Sequence, residues 1–294
     1  MGEKAAVRRQ RSVGEALVAF GSDILAEARA ALDNPQNSDA VAIHDFRKAM
    51  KRWRALLRLL EPTVGEAARA LRIAARKLAR ELAAARDGQS ALDALADLGN
   101  AREGLSPRSI ATVGARIQGL RESAEATALT ETLRARLRTS LQLGQAALRE
   151  WGLERVGVDQ AAAALSDGYR RARNAIPVPW PDADSEELHE FRQCVVVHRY
   201  QMELVEPLWP RLGKLWIGEA QRLRERLGMC QDLAVLAKLT APHQPLAPWR
   251  SRLAPLIAGR QAAHVAASAR IAGRLFAEKP KAFRRRLLAL WESG

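Results

Sequence analysis

The chain has 294 residues with a formal net charge of +14; 48% of residues are hydrophobic and 5% aromatic. That apolar share excludes a disordered basic tail, and the charge calls for an anionic partner: nucleic acid, an acidic membrane surface or a free polyanion. Ala, Leu, Arg and Glu dominate, so the expected fold class is all-α. Met1 to Ser12 is charged and the following segment is broken by Glu15, Asp23 and Glu27, unlike a signal peptide. With no apolar run near the ~20 residues of a membrane span, the expectation is a cytoplasmic protein without membrane association.

Periodicity predicts helices over about 12–33, 39–60, 66–86, 88–99 and 108–151, then about 157–175, 185–206, 211–230, 232–240 and 249–292. Asn34-Pro35, Glu61-Pro62 and Ser106-Pro107 punctuate the first set. Pro177 to Pro181, Pro207 to Pro210 and Pro242 to Pro248 punctuate the second, and Pro280 starts or kinks the last helix. Asp87 and Asp232 read as N-caps of the short fourth helices. Cys194 and Cys230 form no CxxC and read as idle thiols.

The two sets are one pattern written twice. His44, Phe46, Arg47, Arg54, Leu59, Glu61-Pro62, Leu78, Leu82 and Asp87 recur 145 residues later as His189, Phe191, Arg192, Arg199, Leu204, Glu206-Pro207, Leu223, Leu227 and Asp232. A constant offset without a gap marks an internal duplication. Repeat 1 covers about 12–151 and repeat 2 about 157–292.

On a helical wheel His44, Arg47, Lys48, Lys51, Arg54 and Arg58 share an arc of roughly 120°. Phe46, Ala49, Met50, Trp53, Leu56, Leu57 and Leu60 face the other way, as core. The next helix repeats the arrangement with Arg69, Arg72, Arg76 and Arg80 on one edge. From Arg47 to Arg58 no carboxylate appears, although like charges at i, i+4 cost about 0.2–0.5 kcal/mol per pair. A merely solvated face would mix in Glu. Successive turns place a cation every ~5.4 Å, a ladder for a polymer of closely spaced phosphates. Phe46 and Trp53 point inward, so the pattern offers no ring for stacking bases.

His44 and His189 open the two stripes. A phosphate contact, pH-dependent if the imidazole must be protonated, stands beside a plain structural hydrogen bond. No second ligand at metal-binding spacing accompanies either, so no metal or other cofactor is expected. Paired carboxylates, a Gly-rich phosphate loop and a nucleophile motif are missing, and the expected role is non-enzymatic.

The run His44-Asp-Phe-Arg47-Lys48-Ala-Met-Lys51-Arg52-Trp-Arg54, followed by Arg86-Asp87, resembles the signature of the CHAD domain, the conserved histidine α-helical domain. Leu188-His189-Glu-Phe-Arg192 through Arg199-Tyr200, then Gln231-Asp232, is similar in weaker form, and Pro280 to Trp291 resembles the closing helix. The resemblance spans about residues 12–292. It implies a single domain of two pseudo-symmetric antiparallel helical bundles, with basic helices lining a central groove. It also implies binding of inorganic polyphosphate and association with polyphosphate granules. The ligand contacts it implies are His44, Arg47, Lys48, Lys51, Arg52, Arg54, Arg58, Arg76 and Arg80, with His189, Arg192 and Arg199 in the second copy.

Copy two departs from this pattern. Lys48, Lys51, Arg52 and Arg58 become Gln193, Val196, Val197 and Glu203; Arg80 and Arg86 become Glu225 and Gln231. Either the ligand is held asymmetrically, or Lys214, Arg222 and Arg224 compensate, or binding is weak. Nonspecific nucleic-acid binding at low salt is also expected, on electrostatics alone. A phosphohydrolase or its accessory subunit is a further alternative.

Overall fold

The computed structural model describes residues 12–82, 86–101, 104–124 and 129–293, and among them there are helices and turns but no strand. Helix α1 spans Val13–Asp33. Ser12 and Glu15 close its first turn reciprocally: the Ser12 hydroxyl accepts from Glu15 N and the Glu15 carboxylate from Ser12 N. Helix α2 spans Asp39–Val64. It runs through Pro62, where the sequence suggests a stop, and ends at Gly65, whose φ of 77° a side-chain-bearing residue rarely adopts. Helix α3 spans Glu66–Glu81, α4 Arg86–Asn100, α5 Pro107–Ala124 and α6 Glu131–Glu150.

The single helix predicted over 108–151 is thus two helices. Thr130 caps the second by accepting from Leu133 N, and Asp39 of α2 fixes the entry by accepting from Leu129 N at 3.0 Å. The Asp39 carboxylate comes from a helix 90 positions away, so the Thr130 cap is the local signal of the break and the rest is set at long range.

In the second copy α7 spans Val158–Asn174, α8 Ser185–Val205, α9 Pro210–Leu239, α10 Arg250–Leu275 and α11 Pro280–Ser293. At the 145-residue offset α1 pairs with α7, α2 with α8, α3 plus α4 with α9, α5 with α10, and α6 with α11. Two predictions are corrected. Asp232 is no N-cap, because α9 is one helix of 30 residues where two were expected. Buried Leu223, Leu227, Cys230, Leu233 and Leu236 keep one face apolar across the expected break. Conversely, the single helix predicted over 249–292 divides into two, with Pro280 beginning α11, as one of its two sequence readings has it. The Asp87 side chain falls outside the described residues, so its predicted capping role is untouched.

Helix α2 packs on α8, joining the two copies at their equivalent helices. The larger apolar core draws on α1, α2, α3 and α6 of copy one, and on α7, α8, α11 and parts of α9 and α10 of copy two. A second core gathers Ala94 and Leu95 of α4, Val113 and Ile117 of α5, Leu233 and Leu236 of α9, and Leu253 and Ile257 of α10. Helix α9 belongs to both. Among the described residues no helix is long and apolar enough to cross a membrane.

Candidate functional site

The apolar face of α2 is anchored in the larger core, with Phe46, Met50, Trp53, Leu56, Leu57 and Leu60 all buried. This turns the opposite face outward beside α3, which packs against α2. Between them the arginines meet. Arg54 is partly buried, and burial together with the charges of Arg76, Arg72, Arg58 and Arg80 holds its pKa below the ordinary arginine value. Burial, then Arg72 and Arg171, does the same to Arg58. Five arginines of two helices therefore share one face.

Their internal neutralisation is slight. Glu61 accepts from Arg72 Nη2 at 2.8 Å, whereas Arg76 and Arg80 are exposed and have no carboxylate partner among the described residues. The Nε atoms of Arg54 and Arg72 are buried without a hydrogen-bond partner. A buried guanidinium N–H is costly to leave unpaired, and both arginines carry that cost in the fold, as does Arg199 of copy two through its own Nε.

The remaining predicted residues divide. His44 and Lys48 are exposed on the same α2 face. Lys51 is half-buried there. Arg47 donates to the Leu82 carbonyl at 2.9 Å, tying α2 to the C-terminal end of α3. Arg69 is exposed and pairs with Glu66 at 3.3 Å. Arg52 is engaged elsewhere. It donates to Glu203 at 3.0 Å and to Glu27, and lies over the Phe20 ring. Burial opposes its charge, but these carboxylates outweigh burial and raise its pKa. It serves the joint of α1, α2 and α8 rather than the arginine cluster.

The predicted arginines of copy two have partners within the fold. Arg192 donates to Gln231 at 2.8 Å, and Gln231 also meets the His189 ring. Arg199 pairs with Glu203 at 3.4 Å and lies over Tyr200. Arg222 holds Glu219 at 2.8 Å, and Arg224 reaches Gln221 and Glu225. Lys214 is exposed on α9.

Arg171 of α7 is a neighbour of Arg58 that sequence reasoning missed. It is exposed and has no carboxylate partner among the described residues, while Arg170 and Arg173 beside it hold Asp167 and the Phe276 carbonyl. The run Tyr169-Arg-Arg-Ala-Arg173 was the available signal. It extends the basic face of copy one onto copy two. Cys194 also lies beside Arg58 and Arg171, and burial pushes its thiol up.

Comparison with known proteins bears on this arrangement. The solved structure titled PptA from Streptomyces chartreusis superposes with a TM-score of 0.62 at 17% identity, covering 91% of this chain and all of that one. The CHAD domain from the plant Ricinus communis gives a TM-score of 0.55 at 22% identity, covering 95% of this chain and 92% of that one. At such identities these likenesses show the fold. A comparison with curated proteins gives no match. The CHAD domain model matches residues 16–241, more than half of the chain and including both basic stripes. The chain belongs to the CHAD domain family, a family that binds polyphosphate.

Proposed function

We propose that this protein binds inorganic polyphosphate without transforming it, through the face shared by α2 and α3, and is thereby held on polyphosphate granules in the cytoplasm. The observation that carries the reading is the Arg54 cluster: five arginines on one face, of which only Arg72 has a carboxylate partner among the described residues. His44, Lys48 and Lys51 lengthen the face along α2, and Arg171 extends it from α7. Helical spacing sets a cation at each turn, ~5.4 Å apart, and guanidinium forks pair with successive phosphoryl oxygens. Ligand oxygens would relieve the repulsion around Arg54.

A nucleic acid would meet the same charge, but Phe46 and Trp53 are buried and cannot stack a base. Titration with inorganic polyphosphates of graded length tests the proposal. Affinity rises with chain length well beyond that for triphosphate, and long chains displace RNA far better than RNA displaces them. Equal affinity for triphosphate and long chains would mean a small-molecule site instead.

A further inference from the structure

Helices α9 and α10 run antiparallel after a short turn and enclose a cleft of about 530 Å³. Two arginine pairs line it, Arg222 and Arg226 from α9 and Arg270 and Arg274 from α10. Each pair is spaced i, i+4, so its members lie on one helix face, ~6 Å apart along the axis. Arg222 and Arg274 both reach Glu219, at 2.8 and 3.5 Å, which places them across from one another. Arg226 and Arg270 then form the second tier. None of these residues belongs to the α2–α3 face.

Behind Arg226 stands a half-buried polar chain that ends on buried His264. Arg260 grips Asp97 with two hydrogen bonds of 2.8 and 2.6 Å, and Asp97 accepts from His264 Nε2 at 2.7 Å. The other ring nitrogen of His264, Nδ1, accepts from Arg226 Nη1 at 3.2 Å. Arginine can only donate, so this contact fixes the ring proton on Nε2. Burial keeps the imidazole neutral despite Asp97. Arg226 is thus oriented by a partner that does not cancel its charge. Glu219 and Glu225 also line the cleft, while the charge of Asp97 is met by Arg260. Four guanidiniums against two carboxylates leave an excess of two positive charges.

We propose that this cleft is a second anion site, taking a pyrophosphoryl group whose two phosphoryl ends each sit between an α9 and an α10 arginine. The group can come from free pyrophosphate or from the diphosphate of a nucleotide. Calorimetric titration with pyrophosphate, and with ADP as competitor, tests this on the parent protein and two double variants. Arg54→Gln/Arg76→Gln disables the α2–α3 face and retains one equivalent of bound pyrophosphate. Arg226→Gln/Arg270→Gln lowers pyrophosphate affinity by about tenfold or more, yet keeps the parent's melting temperature and its affinity for long-chain polyphosphate. ADP that displaces pyrophosphate assigns the group to a nucleotide; ADP that does not assigns it to the free anion. Loss of pyrophosphate binding in the Arg54/Arg76 variant, or its persistence in the Arg226/Arg270 variant, overturns the proposal. So does a loss of long-chain binding in the latter, since the cleft would then belong to the polymer's path.

Discussion

Arg54 holds a position that stability alone would not select. Its burial and four neighbouring arginines oppose its charge, yet a guanidinium stays protonated at neutral pH, so the ligand-free protein bears the repulsion. Arg54→Met, which keeps the apolar stem and removes the charge, is expected to raise the melting temperature without ligand. It is expected also to weaken long-chain polyphosphate binding by about 1.5–3 kcal/mol, the cost of one charge-assisted contact. Calorimetric melting and titration of the same preparation check both halves. A lower melting temperature with unchanged affinity would make Arg54 an ordinary structural residue.

His198 belongs to the fold and not to the site. It is fully buried, accepts from Trp216 Nε1 at 2.9 Å, and burial followed by Arg286 takes its pKa from 6.5 down to about 3. The unfolded chain binds a proton below pH 6.5 that the folded chain refuses. The stability from neutral His198 is therefore complete above pH 6.5 and drains away as pH falls from there towards 3. Urea unfolding at pH 7 and pH 5 should show that loss, and His198→Asn should flatten the dependence by about one proton's worth. An unchanged slope in the variant would place the titration elsewhere. The equivalent position in copy one is Trp53, which cannot titrate.

At the scale of elements, the stripe on α2 and the edge on α3 were legible because helical periodicity is local. Arg52 sits in the same run of sequence but is drawn away by Glu27 and Glu203, the latter 151 positions distant. Arg171 joins the face for the converse reason: α7 packs against α2 only in the folded chain. Helix limits failed where a distant residue decides them. Thr130 starts α6 with help from Asp39, so Thr130→Ala should cost about 0.5–2 kcal/mol in urea unfolding. A neutral substitution would assign the break to other contacts.

The copies also differ in what their cations are doing. Arg192 and Arg199 are engaged by Gln231 and Glu203, whereas Arg76 and Arg80 lack carboxylate partners among the described residues. Arg192→Gln/Arg199→Gln is therefore expected to reduce polyphosphate affinity much less than Arg54→Gln/Arg76→Gln does. Titration of both variants decides it, and a larger loss from the copy-two pair would move the main site to α8.

For the whole molecule, duplication produced two cores that each take helices from both copies, with α9 threading both. The repeat itself was readable from the constant offset. The sharing of cores was not, since one 30-residue helix replaces two short ones and carries copy two across into the second core. Binding by a charged face on such a scaffold follows counterion release: the logarithm of affinity falls linearly with that of salt, and the slope reports how many charges are engaged. Polyphosphate is a free polyanion, so the trend should carry over from nucleic acids to this ligand. The most direct measurement is the affinity for long-chain polyphosphate across a salt series, for the parent and for Arg54→Gln/Arg76→Gln. A steep parent slope, made shallower by about two in the variant, is the predicted result. An identical slope in the two proteins would contradict the assignment of the polymer to the α2–α3 face.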